Sequence, residues 1–277
     1  VVPAQHKFQA AAPCAIIRDA GAEETENAMD TPSIATVALG LAMALAPTAG
    51  AHAAELKVLA GGAMTASLKE LGPSFERATG HKLTIHFAGT PELIRQATSA
   101  PFDLGVVPVD VMKDAAAKAK FAPGIDIARV GYGVAVRAGA PKPDVATSDA
   151  LKATLLKAQS VALFRESAAG AYVLKTFERL GIGDAMQGKI KAQANPGQIP
   201  EAVAKGEAEL GVFLTNVLMA PGVELAGPFP ADLQQDLVFT GALAADTKEA
   251  EAAKAFIAYL KTPEAAAVIK AKGMTPG

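Results

Sequence analysis

The residues with the plainest chemical use are small ones. Residues 61–65, Gly-Gly-Ala-Met-Thr, join an apolar stretch at 56–60 to an amphipathic one at 64–79. A helix start leaves its first N–H groups without partners, and the helix dipole makes that end slightly positive. A strand-to-helix turn of glycine and alanine can therefore seat a small anion on main-chain N–H groups. Similar turns or helix starts recur at 88–91, 166–171, 198–200 and 215–216. They give Gly62, Ala63, Met64, Thr65, Gly89, Thr90, Ser167, Ala169, Gly170, Tyr172, Gln198, Thr215 and Asn216 as candidate ligand contacts. Thr65, Thr90 and Ser167 serve equally well as helix caps, and Tyr172 suits a core position better than a site. Among Arg95, Arg137 and Arg165, the last stands just before the 166–171 turn. It is the cation expected to grip a carboxylate in bidentate fashion.

The elements that must position these turns follow from hydrophobic periodicity. The strand at 56–60 is apolar except for Lys57. Leu68, Leu71, Phe75 and Ala78 are spaced as one face of a helix that Gly80 closes. Alternation predicts a strand at 82–87, then a helix at 91–99 with Thr90 as N-cap and Pro91 at its first position. A buried strand at 103–107 and a helix at 110–119 opened by Asp110 complete a β-α-β-α-β-α run, the pattern of a parallel sheet covered by helices. Residues 125–137 read as one long strand, followed by a Gly- and Pro-rich crossing at 138–143. A second set follows: helix 149–157, strand 160–164, helix 170–180, a helix from 198 to about 206, strand 209–214 and a short strand within 223–230. A second long strand at 235–246 belongs beside 125–137 as the return crossing. Helices at 247–261 and 263–272 end the chain, the latter capped by Thr262 with Pro263 at its first position. The expectation is an α/β chain of two lobes, residues 54–136 with 236–277 and residues 137–235, linked by two crossover strands. The turns line a cleft between the lobes, the edge at which open α/β sheets bind ligands.

Residues 33–50 form a short apolar run, interrupted by Pro47 and followed by Ala51-His52-Ala53. The run is too short to span a membrane and matches a secretory signal cleaved near Ala53, after an N-terminal extension. The expected location is the periplasm. The one cysteine, Cys14, lies before that point, which excludes a disulfide framework. A formal net charge of -2 leaves no basic excess for nucleic acid or an anionic membrane. The four histidines form no ligand cluster, with His81 and His86 on opposite faces of a predicted strand. No metal or cofactor is expected. No nucleophile elbow, P-loop, dinucleotide fingerprint or zinc motif is present.

The start at 56–64, Leu-Lys-Val-Leu-Ala-Gly-Gly-Ala-Met, resembles the molybdate-type substrate-binding proteins of ABC importers. Phe75-Glu76-Arg77-Ala78-Thr79-Gly80, Phe87-Ala88-Gly89-Thr90, residues 204–211 and Thr262-Pro263-Glu264-Ala265-Ala266 are similar to that family too. The resemblance implies a type II periplasmic binding fold that hinges shut on its solute, works as a monomer and delivers to an ABC permease. It departs at the ligand positions. Where the family carries a serine in its first turn this chain has Ala63, a second serine is matched by Thr90, and a tyrosine of the second lobe has no match at Phe213-Leu214. A tetrahedral oxyanion would lose hydroxyl donors, so an organic carboxylate is the expected solute in place of molybdate. A phosphate or sulfate receptor is a third reading. The alternative of a different class is a cofactor-free isomerase of a small unsaturated polycarboxylate, resembling aconitate isomerase. Its base would come from Glu92, Glu166, Tyr172 or His86, which no spacing distinguishes.

Overall fold

The computed structural model describes residues 53–277. The apolar run at 33–50, the extension before it and Cys14 lie outside the described residues.

The first lobe begins with β1 (Glu55–Gly61), α1 (Thr65–Thr79), β2 (Lys82–Ala88), α2 (Thr90–Ser99), β3 (Leu104–Pro108), α3 (Ala115–Lys118) and β4 (Ile125–Val130). The second lobe holds β5 (Tyr132–Arg137), α4 (Ser148–Lys157), β6 (Val161–Leu163), α5 (Ala168–Arg179), α6 (Gly183–Gln187), β7 (Ile190–Ala192), α7 (Gln198–Ala204), β8 (Leu210–Leu214), α8 (Thr215–Leu218) and β9 (Val223–Pro228). The chain then returns through β10 (Leu237–Leu243), α9 (Ala250–Tyr259), α10 (Pro263–Ala271) and β11 (Thr275–Pro276). Two sheets result, ordered β11-β4-β10-β3-β1-β2 and β7-β6-β8-β5-β9. In the first, β1 pairs in parallel with β2 and β3, and β10 lies antiparallel between β3 and β4. In the second, β6 is parallel to β7 and β8, and β5 lies antiparallel between β8 and β9.

The parallel strands have short buried cores because helices cover both faces of each sheet. Every residue of β3 and of β8 is buried. Against the first sheet α1 packs Leu68, Leu71 and Phe75, with Phe75 tilted onto Phe256 of α9 at 4.9 Å between ring centres. Gly80 ends α1 at φ 78°, and its N–H donates to Glu76 O at 2.9 Å. A left-handed residue closes a helix this way, and glycine takes it without a Cβ penalty. Among the described residues no helix is long and apolar enough to cross a membrane.

Four expectations change. Residues 125–137 are two strands that break at Gly131, because β4 belongs to one sheet and β5 to the other. A Cβ on Gly131 would stand 3.0 Å from the Gln234 side-chain amide. That amide replaces a ladder partner: Gln234 Oε1 accepts from Tyr132 N–H at 2.8 Å and Nε2 donates to Tyr132 O at 2.9 Å. Gln234 thus ties the outgoing crossing to the segment that returns. In place of a helix at 110–119 there is a tight turn at Val109–Lys113 and the short α3. Asp114, not Asp110, caps α3, accepting from Ala117 N–H at 2.9 Å, while Asp110 pairs with Lys113. Thr90 is the first residue of α2 and Gly89 its cap. Finally α6, β7, α8 and β11 are short elements that hydrophobic periodicity did not announce.

Candidate functional site

Three helix starts meet between the sheets. The turn at Gly62–Met64 leads into α1, Gly89 leads into α2, and Ser167 leads into α5. The first two follow the carboxyl ends of β1 and β2, and the third follows β6 in the other lobe. Together they wall a small inner chamber of about 20 Å³, room for about one water molecule. Its polar side is Gly62, Ala63, Gly89, Thr90, Ser167 and Ala169, and its apolar side includes Phe164, Phe213 and Phe239. No side chain in its lining titrates as an acid or base, so any charge there must be met by main-chain N–H groups and hydroxyls. The inner chamber adjoins an outer cavity of about 1000 Å³ that shares Gly62, Ala63, Ala88, Gly89, Phe164 and Pro196 with it.

The lobes touch at this junction. Gly89 has no Cβ, and one built there would overlap the Glu166 carbonyl oxygen and stand 2.9 Å from Phe164 Cζ. Thr90 Oγ1 accepts from Ala168 N–H at 2.9 Å, so a lobe-one hydroxyl sits where an anion's oxygen would sit on the start of α5. Asn216 Nδ2 donates to Ala63 O at 2.8 Å, a second bridge between lobes. Ser167 caps α5, its Oγ accepting from Gly170 N–H at 2.9 Å. Thr65 Oγ1 donates to Gly62 O at 2.6 Å and pins the turn before α1.

Other expected contacts stand off the cleft. Met64 is fully buried in the core beneath the turn. Gly170 lines neither chamber. A Cβ there would overlap Phe164 O and lie 2.7 Å from Arg165 O, so its glycine serves the close start of α5. Tyr172 packs on Tyr132 at 4.6 Å and donates its hydroxyl to Leu233 O at 2.7 Å, anchoring a helix to the returning crossing. Tyr132 is itself buried there. That burial raises its phenol well above the ordinary value, with the Asp110 carboxylate adding to the effect. Gln198 closes its own loop, accepting from Ala194 N–H at 2.9 Å. The Thr215 hydroxyl and N–H both reach Gly131 O, at 3.3 and 3.0 Å, beside the crossing. Arg165 is exposed and lines neither chamber, so it is not placed to grip a ligand. Arg137 borders a separate cavity at the other end of the second sheet.

Arg95 is occupied. Its Nε and Nη2 donate to Glu92 at 2.7 and 2.5 Å, and Gln96 Nε2 adds a third bond at 2.8 Å. These bonds hold the Glu92 carboxyl down to about 2, Arg95 first and Gln96 second. Glu92 is therefore a fixed anion and a poor base, although it lines the outer cavity. His86 Nε2 stands 3.9 Å from Glu92 Oε1 on the same wall. Glu166 and Glu201 also line that cavity, Glu201 with Lys205 at 3.9 Å. The outer wall thus carries acids, but two of its three glutamates have basic neighbours.

Some lining residues had no advance signal. Lys69 reads in sequence as a solvent-facing residue of α1, yet it lines the outer cavity with Thr65 and Ala66. Its spacing of four from Thr65, which puts both on one helix face, was the available clue. The loop 194–197 and residues 217–221 also contribute. They belong to stretches too short for periodicity to register.

With this geometry in hand, known proteins give the following likenesses. Residues 56–275 match the profile of the family described as bacterial extracellular solute-binding protein. Aconitate isomerase of Pseudomonas sp is 34% identical over 258 residues, covering 88% of this chain and 97% of that protein. The molybdate-binding protein ModA of Azotobacter vinelandii is 29% identical over 232 residues, covering 80% and 90%. The solved structure of the periplasmic molybdate-binding protein of Azotobacter vinelandii superposes with a TM-score of 0.66 at 21% identity, covering 79% of this chain and 98% of that one. The two-lobed arrangement of sheets is that of the periplasmic binding proteins.

Proposed function

We propose, for a chain that belongs to the bacterial extracellular solute-binding protein family and is a divergent relative of its molybdate binders, that the cleft holds a small organic polycarboxylate. The lobes, parted at Gly131 on the outgoing crossing (five residues before the boundary at 136/137 expected from sequence) and near Gln234 on the return, close on it like a hinge, and an ABC permease receives it. The setting is the periplasm, reached through the leader read at 33–50. The observation that carries this reading is the convergence of the α1, α2 and α5 starts, from both lobes, on a chamber without titratable side chains. The chamber as it stands holds about one water, and a carboxylate enters it by displacing the Thr90 hydroxyl and accepting from Ala168 N–H in its place. The rest of the solute extends into the outer cavity, which is far larger than a single oxyanion needs. Ala63 at the chamber wall supplies no hydroxyl, which weighs against a tetrahedral oxyanion. Calorimetric titration with trans-aconitate, citrate, molybdate, phosphate and sulfate tests it. Saturable binding of the organic acids with none of molybdate supports the reading, and the reverse pattern overturns it.

A second reading is favoured by the 34% identity to aconitate isomerase across nearly all of that protein. Isomerisation of such an acid moves a proton from its methylene carbon to the former vinyl carbon, shifting the double bond with no oxidant or cofactor. Of the four bases considered, Glu92 is held too acidic by Arg95 and Tyr172 is engaged with Leu233 outside the cleft. His86 and Glu166 remain on the cavity wall, and an imidazole suits proton transfer at neutral pH. Incubating the pure protein with cis-aconitate and following the proton spectrum distinguishes the readings. Appearance of trans-aconitate supports turnover, and an unchanged spectrum with saturable binding supports the receptor.

A further inference from the structure

The outer cavity has one cation without a partner. Lys69 makes no ion pair among the described residues, whereas Glu92 is tied to Arg95 and Glu201 stands near Lys205. A lysine lining a cavity of about 1000 Å³, on the same helix whose start faces the inner chamber, points to a ligand of defined shape. Resting on the carboxylate reading above, we propose that Lys69 holds a second carboxylate of the solute and so selects di- and tricarboxylates over monocarboxylates.

The helix sets the spacing. Lys69 lies four residues beyond Thr65, one turn along α1 and on the same face, a rise of about 6 Å. Helical Cα–Cβ bonds tilt toward the N-terminus, so the lysine stem leans back over Thr65 and Ala66 toward the chamber mouth. An ammonium there meets a carboxylate within about 6 Å of one seated at the helix start. Two carboxylates joined through two or three carbons fit that reach, and an acid with one carboxylate leaves Lys69 unused. The groups facing it across the cavity leave the carboxylate-binding end at Lys69, since Glu92 on its own wall is already tied to Arg95. Glu166 and Glu201 stand on the second-lobe side and would repel a carboxylate placed there.

The test is calorimetry on wild type, Lys69→Gln, Lys69→Arg and Lys69→Glu with trans-aconitate, glutarate and propionate. Thermal melts run alongside, and the exposed side chain predicts unchanged melting. Lys69→Gln should weaken trans-aconitate and glutarate about tenfold and propionate less than about twofold. Lys69→Arg should recover most of the loss, and Lys69→Glu should deepen it. Equal losses for all three acids, or none for any, overturn the role of Lys69 while leaving the carboxylate reading intact. Failure of all three acids to bind wild type overturns both.

Discussion

Alanine at position 89 adds one methyl group where the lobes touch. The backbone accepts it, since Gly89 has φ -77° and ψ 166°, an extended conformation open to any residue. The added Cβ overlaps the Glu166 carbonyl and must retreat to at least 3.0 Å, the least separation real Cβ atoms show. Backbone on one side and the Phe164 ring on the other leave no flexible group to give way, so the lobes must part. That movement stretches the two bridges at the junction, Thr90 Oγ1 to Ala168 N–H at 2.9 Å and Asn216 Nδ2 to Ala63 O at 2.8 Å. A bound carboxylate already displaces the Thr90 hydroxyl, so only the Asn216 bridge counts against the liganded closed form, about 1 kcal/mol or roughly fivefold in the Kd of a ligand that needs closure. Gly89→Ala should therefore bind trans-aconitate about fivefold more weakly, with small-angle scattering showing a wider molecule at saturation. Its stability without ligand should fall by no more than about 2 kcal/mol, the two bridges, because no core atom is removed. Unchanged affinity together with an unchanged scattering curve would refute the assignment of this contact to closure.

Gln234→Ala leaves Tyr132 N–H and C=O without their partner at the crossing. Urea titration should show a loss of about 2 kcal/mol, and no loss would mean water replaces the amide. Ala63→Ser adds a hydroxyl to the inner chamber, so saturable molybdate binding, expected to be absent in wild type, should appear by calorimetry. The Glu92 carboxyl is depressed, so its bonds to Arg95 and Gln96 favour the fold above its ordinary value of 4.5. That contribution is lost as pH falls from 4.5 toward 2. Arg95→Gln should move the Glu92 carboxyl titration, read by carbon NMR, back up toward 4.5. It should lower the urea midpoint slightly above pH 5 and not at all near pH 2.

The strand-turn-helix units were legible because each strand is an apolar run and most turns carry a glycine, proline or hydroxyl residue. The break at Gly131 was not, since the alternation of 125–137 runs through it and only the long-range contact with Gln234 divides it. The same holds for α6, β7 and α8, whose five residues or fewer complete less than two turns of helix or two strand periods. The turns at 61–65, 88–91 and 166–171 could be read as converging because parallel α/β topology brings such ends to one edge. Which atoms in them face the cleft could not. Met64 turns into the core, Tyr172 turns to Leu233, and Arg165 stays in solvent, each decided by packing of neighbours far away in sequence. Thr90 shows the limit most clearly. A threonine before proline reads as a cap, and its reach to Ala168 depends on how two lobes meet.

The most direct measurement is a crystal structure grown with trans-aconitate. One carboxylate should lie in the inner chamber on N–H groups of residues 62–63 and 168–169, displacing the Thr90 hydroxyl from Ala168. A ligand bound only outside the cleft, or a chamber still closed by Thr90 with the acid held elsewhere, would contradict the account.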